Sequence, residues 1–73
     1  MYRVTVINNV DRKAVIVDGT TTIREILEMT DLAGVDSVPV ISGTTVTNLD
    51  ATLEELEVSE NCTLSLTKRL ANA

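Results

Sequence analysis

The sequence predicts an α+β fold in which one helix packs on a mixed β-sheet, in the order ββαββ with a further small strand before the last. Three observations predict it. The chain opens and closes on runs that alternate apolar and polar residues, Tyr2-Arg3-Val4-Thr5-Val6-Ile7 and Cys62-Thr63-Leu64-Ser65-Leu66-Thr67, the period of strands with one face on a core. Between them a single stretch, Ile23, Ile26 and Leu27, follows helical spacing. The remainder is short and turn-rich, with room for small strands only.

The elements come in order. Tyr2, Val4 and Val6 are expected to face inward and Arg3 and Thr5 outward. Asn8-Asn9 supplies residues that tolerate left-handed backbone, and Ala14-Val15-Ile16-Val17 resumes the strand pattern, which makes an N-terminal hairpin. Asp18-Gly19 closes it. Thr22 and Glu25 form a capping box ahead of a helix that presents Ile23, Ile26, Leu27 and Thr30 on one face. The helix is expected to end near Ala33-Gly34, with Gly34 as the left-handed cap. Val35 to Ser42 reads as a short third strand, with Pro39 placing it near an edge. Ser42-Gly43-Thr44-Thr45 reads as a turn, Val46 as the start of a fourth strand, and Leu49 as a loop anchor. Thr52 and Glu55 repeat the capping-box signal, which predicts a short helical turn before the last strand.

Seventy-three residues form one domain, 1–73, and a chain of this length hides only about 60% of the surface its unfolded form exposes. Its 44% apolar content is that of a folded protein. With no Phe or Trp and one Tyr, the core is aliphatic, each buried Val, Ile or Leu contributing roughly 1.5–3 kcal/mol. The lone Cys62 forms no internal disulfide, so a reducing, cytoplasmic setting is expected. No apolar run approaches the roughly 20 residues that cross a bilayer, so no membrane partner is expected. A net charge of −5 argues against nonspecific nucleic-acid binding.

Thr52-Leu53, Leu56, Val58, Thr63-Leu64, Leu66 and Arg69-Leu70 stand at the spacing of the last third of ubiquitin, Thr22-Ile23 matches the start of its helix, and Ser42-Gly43 falls in its turn. The chain therefore resembles the ubiquitin-like β-grasp superfamily over nearly its whole length. The resemblance implies that the closing strand lies parallel beside the opening one. It also implies an apolar patch on the outer sheet face, carried over here to Ile7, Val40, Ser65 and Thr67. Thr67 stands where ubiquitin has Val, so a different protein partner is implied. Ile7 and Val40 read equally well as isolated surface hydrophobes or as core.

Catalysis has little to work with. The sequence has no His, which removes the commonest general base near neutral pH and any Cys-His or Ser-His pair. Cys62 reads as a small packing residue. No Cys and His metal site can be assembled, and no cofactor is expected. Asp50, Glu54, Glu55, Glu57 and Glu60 crowd one turn; they lack the alternation of a divalent-ion loop and suit the N-terminal end of a helical turn. The same acids could dock a basic partner or act as a decoy for a basic nucleic-acid site. Arg3, Lys68, Arg69 and Lys13 are expected to gather around the sheet, polarising the molecule and favouring a charged partner or self-association.

Two function classes emerge. The first is a non-enzymatic interaction module, an adaptor, regulator or inhibitor that binds one protein through Ile7, Val40, Thr67, Arg3, Lys68 and Arg69. The second is a carrier or modifier activated at its C-terminal carboxylate, for sulfur carriage or conjugation. The family's activated members end in Gly-Gly, whereas this chain ends Ala71-Asn72-Ala73, which places the carrier second.

Overall fold

The computed structural model describes residues 1–33 and 37–68. Five strands and one helix succeed each other as β1 (Tyr2–Ile7), β2 (Arg12–Val17), α1 (Ile23–Thr30), β3 (Ser37–Ile41), β4 (Thr44–Thr45) and β5 (Asn61–Lys68). They form one mixed sheet in the order β2-β1-β5-β3-β4. β5 is central: it runs parallel to β1, with Val6 opposite Leu64, and antiparallel to β3, with Ile41 opposite Leu64. The closing segment thus lies beside the opening one, as the resemblance implied, and both bury the same face.

Alternation divides the sheet into two faces. Val4, Val6, Ile41, Leu64 and Leu66 turn inward and are buried, and Ile23 and Ile26 of α1 close over them. Val17, Val46 and Leu53 complete this core, with Tyr2, Val15, Leu27, Leu49 and Cys62 packed at its margin. The inward set is aliphatic, as composition requires.

The start of α1 leaves no amide idle. The Thr22 hydroxyl accepts from Glu25 N–H at 3.2 Å and the Glu25 carboxylate accepts from Thr22 N–H at 3.0 Å, which completes the capping box. Ile23 and Arg24 donate to the carbonyls of Ala51 and Leu49 at 3.1 and 2.8 Å, so the loop after β4 satisfies the donors that an isolated helix would leave to water. Thr30 is fully buried and donates its hydroxyl to Ile26 and Leu27 carbonyls one turn back.

Several local expectations need correction. The helix stops at Thr30, and Asp31 is its left-handed cap at φ 53°; an acidic side chain tolerates this region better than most, which is why Gly34 is not required there. Gly34 lies outside the described residues. The turn after β3 is shorter than expected: Ser42 and Gly43 both have positive φ, 52° and 79°, the pattern of a two-residue hairpin. Thr44 and Thr45 are therefore strand, and Val46 comes after the strand instead of starting it. Thr52 and Glu55 do form a capping box, with bonds of 2.9 and 3.1 Å. It opens hydrogen-bonded turns and no helix, because Glu57 takes φ 56° and ends the coil.

Gly19 and Pro39 each suit a local demand of the backbone. Gly19 carbonyl accepts from Glu54 N–H at 3.0 Å, and a Cβ at Gly19 would stand 2.5 Å from Glu54 Cγ. Pro39 lies inside β3, second from the edge, where its missing donor does no harm. Its carbonyl accepts from Val46 N–H, so its nitrogen also faces away from β5.

Candidate protein-binding surface

The face of the sheet that the helix leaves open is built by register. Ile7 lies opposite Arg12 on β2 and Ser65 on β5, and Ser65 lies opposite Val40, which lies opposite Thr45. One cross-strand row therefore reads Arg12, Ile7, Ser65, Val40, Thr45. The row toward the start of β5 reads Ala14, Thr5, Thr63, and the next reads Ile16, Arg3, Asn61. On the other side Thr67 faces Val38 and donates its hydroxyl to the Val38 carbonyl at 3.2 Å.

Ile7 and Val40 are half-buried, and Thr67 and Arg3 are exposed. The structure thus brings Ile7, Ser65 and Val40 into one row with Thr67 one row away, and neither isoleucine nor valine belongs to the buried cluster. Arg3 and Lys68 are not gathered. Arg3 lies beside Asn61, the first residue of β5, and Lys68 is its last, a separation of about 23 Å at a strand's rise. The parallel pairing that makes the two strands neighbours is what sends these two positions to opposite ends. Lys13 lies opposite Val6, on the alternate face from Arg12. Arg69 lies outside the described residues, as does the Ala71-Asn72-Ala73 end.

One property of this face escapes a residue-by-residue reading. None of its strand positions carries a carboxylate, although the whole chain has eleven acids against six bases. Its chemistry is hydroxyl, carboxamide, aliphatic and guanidinium. Thr5 was expected to face outward and does so, though it was not counted with the surface; Arg12 and Thr63 were missed because their membership depends on pairing, and the alternation of the first hairpin, laid out with Ile7 opposite Arg12, is the signal that could have found Arg12. A shallow open hollow of about 480 Å³ lies between Val40, the Ser42-Gly43 turn, Asn61–Thr63 and Ser65.

The acids lie elsewhere and some have local work. Glu55 caps its own turn, and Asp50 accepts from the Arg24 guanidinium at 3.0 Å. That hydrogen bond, with the carboxylate's charge, raises the Arg24 pKa above its ordinary value. Burial at the core margin pushes the Cys62 thiol pKa up, which disfavours the thiolate that a nucleophile needs. Among the described residues no three His, Cys, Asp or Glu side chains stand close enough to share a metal ion, and no helix is long and apolar enough to cross a membrane.

The backbone as a whole is similar to solved ubiquitin-like structures. A ubiquitin from Caldiarchaeum subterraneum superposes with a TM-score of 0.70 at 16% identity, over 99% of this chain and 98% of that one. A ubiquitin-like protein from Trypanosoma brucei superposes with a TM-score of 0.70 at 18% identity, over 94% and 95%. The fold is the ubiquitin-like β-grasp. An Arabidopsis thaliana protein matches it with a TM-score of 0.73 at 19% identity, over 97% of this chain and 89% of that one. No protein-family model and no curated protein sequence matches. At these identities the likeness concerns the β-grasp backbone, and the open face has to be read from this chain's own residues.

Proposed function

We propose that this β-grasp domain is a non-enzymatic interaction module, an adaptor, regulator or inhibitor that grips one protein partner through its open sheet face in a reducing, cytoplasmic setting. The observation that supports it is the row Ile7, Ser65, Val40, held on the three central strands of the sheet and flanked by Thr67 and Arg12. Two half-buried aliphatic side chains supply a small apolar anchor, and the surrounding hydroxyls and guanidinium groups supply a polar rim. Because this face lacks carboxylates, the partner it fits carries an apolar contact bordered by acidic side chains or carbonyls. Arg3 and Arg12 border the face on β1 and β2, and β5 ends at Lys68, the residue after Thr67.

The test is capture of partners from the native host with the wild-type domain and with the pair Ile7→Asp, Val40→Asp. Loss of the captured protein with the pair, and its retention by Glu57→Lys in the acidic turn, is the expected result. Retention by the pair refutes the surface. Steep loss of capture by Glu57→Lys alone transfers the role to the acidic turn. Mass spectrometry of the same material reads the carrier alternative: an adenylate, thiocarboxylate or conjugate at Ala73 overturns the non-covalent reading while leaving the fold intact.

A further inference from the structure

β2 is an edge of the sheet, and its free side is defined by the ladder on its other side. Arg3 N–H donates to the Glu60 carbonyl, so Arg3, Thr5 and Ile7 turn their backbone groups toward β5, and Val4 and Val6 turn theirs toward β2. Their partners Val15 and Lys13 bond back to β1. Arg12, Ala14 and Ile16 are then left pointing N–H and C=O away from the sheet, and no strand lies beyond them among the described residues. A six-residue edge of this kind is a ready template for another strand.

Natural edges are blunted by charge, proline or bulges. β2 has no proline or glycine, and its charges are sorted by sign: Arg12 and Lys13 at one end, Asp18 just past the other. Arg12 and Asp18 are exposed, and neither forms an ion pair among the described residues. A strand of the same sequence running antiparallel brings opposite charges together, whereas a parallel copy sets like against like. Ile16, 59% exposed on the outer face, is the apolar side chain left unmatched.

We propose that the edge of β2 is a self-association site, where a second copy of this chain pairs β2 to β2 about a two-fold axis through Val15. In that register Ala14 faces Ile16 of the second copy, Arg12 faces Asp18 of the second copy, and the outward-pointing backbone groups exchange hydrogen bonds. Shifting the axis to Ala14 would set Arg12 against Ile16 and leave Asp18 opposite Val10, forfeiting both matches. The two sheets become one, with both open faces on the same side. One strand pair is a small interface, so the dimer is weak and concentration-dependent.

Sedimentation equilibrium from micromolar to millimolar protein tests it. The expected result is a monomer–dimer equilibrium that Ala14→Pro abolishes, since Ala14 N–H points away from β1 and serves no bond among the described residues. Arg12→Asp and Asp18→Arg each place two like-charge contacts in the symmetric pair and are expected to weaken association about tenfold. The double swap, Arg12→Asp with Asp18→Arg, restores it to within about threefold, since it re-creates both pairs with their signs exchanged. A chain that stays monomeric throughout overturns the proposal, as does a dimer that a folded Ala14→Pro leaves unchanged. Should Ala14→Pro fail to fold by circular dichroism, the charge set decides: failure of the double swap to recover association overturns the site.

Discussion

β5 carries two regions on one backbone, and they differ in almost everything but position. Leu64 and Leu66 are buried under α1, whereas Thr63 and Thr67, one step away along the same strand, are exposed on the open face. Every β5 residue shares the same ladder, so the contrast isolates the side chains. It teaches that stability is assigned to one face of these strands, which leaves the other free to vary without unfolding a domain too small for a second core.

The sharpest way to break that contrast is Leu64→Ala. Leu64 is fully buried between Val6 on β1 and Ile41 on β3, where neighbours on both sides prevent collapse into the space vacated. The expected loss is about 2–5 kcal/mol, a large part of the stability of a small domain, read as the shift in urea midpoint. A smaller loss comes from loosening what covers the inner face while leaving the strand alone. Thr22→Ala removes the hydroxyl that accepts from Glu25 N–H and is expected to cost about 1 kcal/mol. Partner capture by the open face should be unchanged by it. On the open face itself, Thr63→Val keeps the β-branched shape and deletes only a hydroxyl; its expected effect is within about 0.5 kcal/mol. A loss near that of Leu64→Ala would show that the open face is part of the core after all.

How far the sequence could be read obeys the same division between local and non-local causes. The two capping boxes, the inward set Val4, Val6, Leu64 and Leu66, and the helix face Ile23, Ile26 and Thr30 were legible, because each depends on residues within one turn or one strand. The length of a coil was not. Thr22 and Thr52 begin with the same signal and even face each other across an isolated bridge, yet one opens eight helical residues and the other a turn. The second turn of chain decides between them: Ile26 and Thr30 continue to find burial, while Glu57 turns to positive φ after Leu56. The likeness to ubiquitin named Ile7, Val40 and Ser65 together, and strand register sets the three side by side. The charge of that surface was misplaced, because the separation of Arg3 from Lys68 and the entry of Arg12 depend on strand register, which no stretch of sequence states by itself.

The smallest expected effect sits at the margin between the two faces, at Cys62. It comes after Asn61 on the inner side of β5, half-buried, and burial raises its pKa. The unfolded thiol, at about 8.5, loses its proton first as pH rises. Above that range the unfolded chain binds fewer protons than the folded one, so the stability associated with this group is full below the unfolded pKa and is lost as pH climbs through the folded pKa. Because the thiol is only partly buried, the decline should be slight. Its measure is a difference: the urea midpoint of the wild type should fall more between pH 7 and pH 10 than that of Cys62→Ala, since the two chains differ in this group alone. Alkylation gives the same answer by rate, with the folded thiol reaching half its maximal reactivity at a higher pH than the thiol in urea. Equal pH profiles in the two states would place Cys62 with the open face, and the boundary between the faces would then run through the first residues of β5 instead of along its whole length.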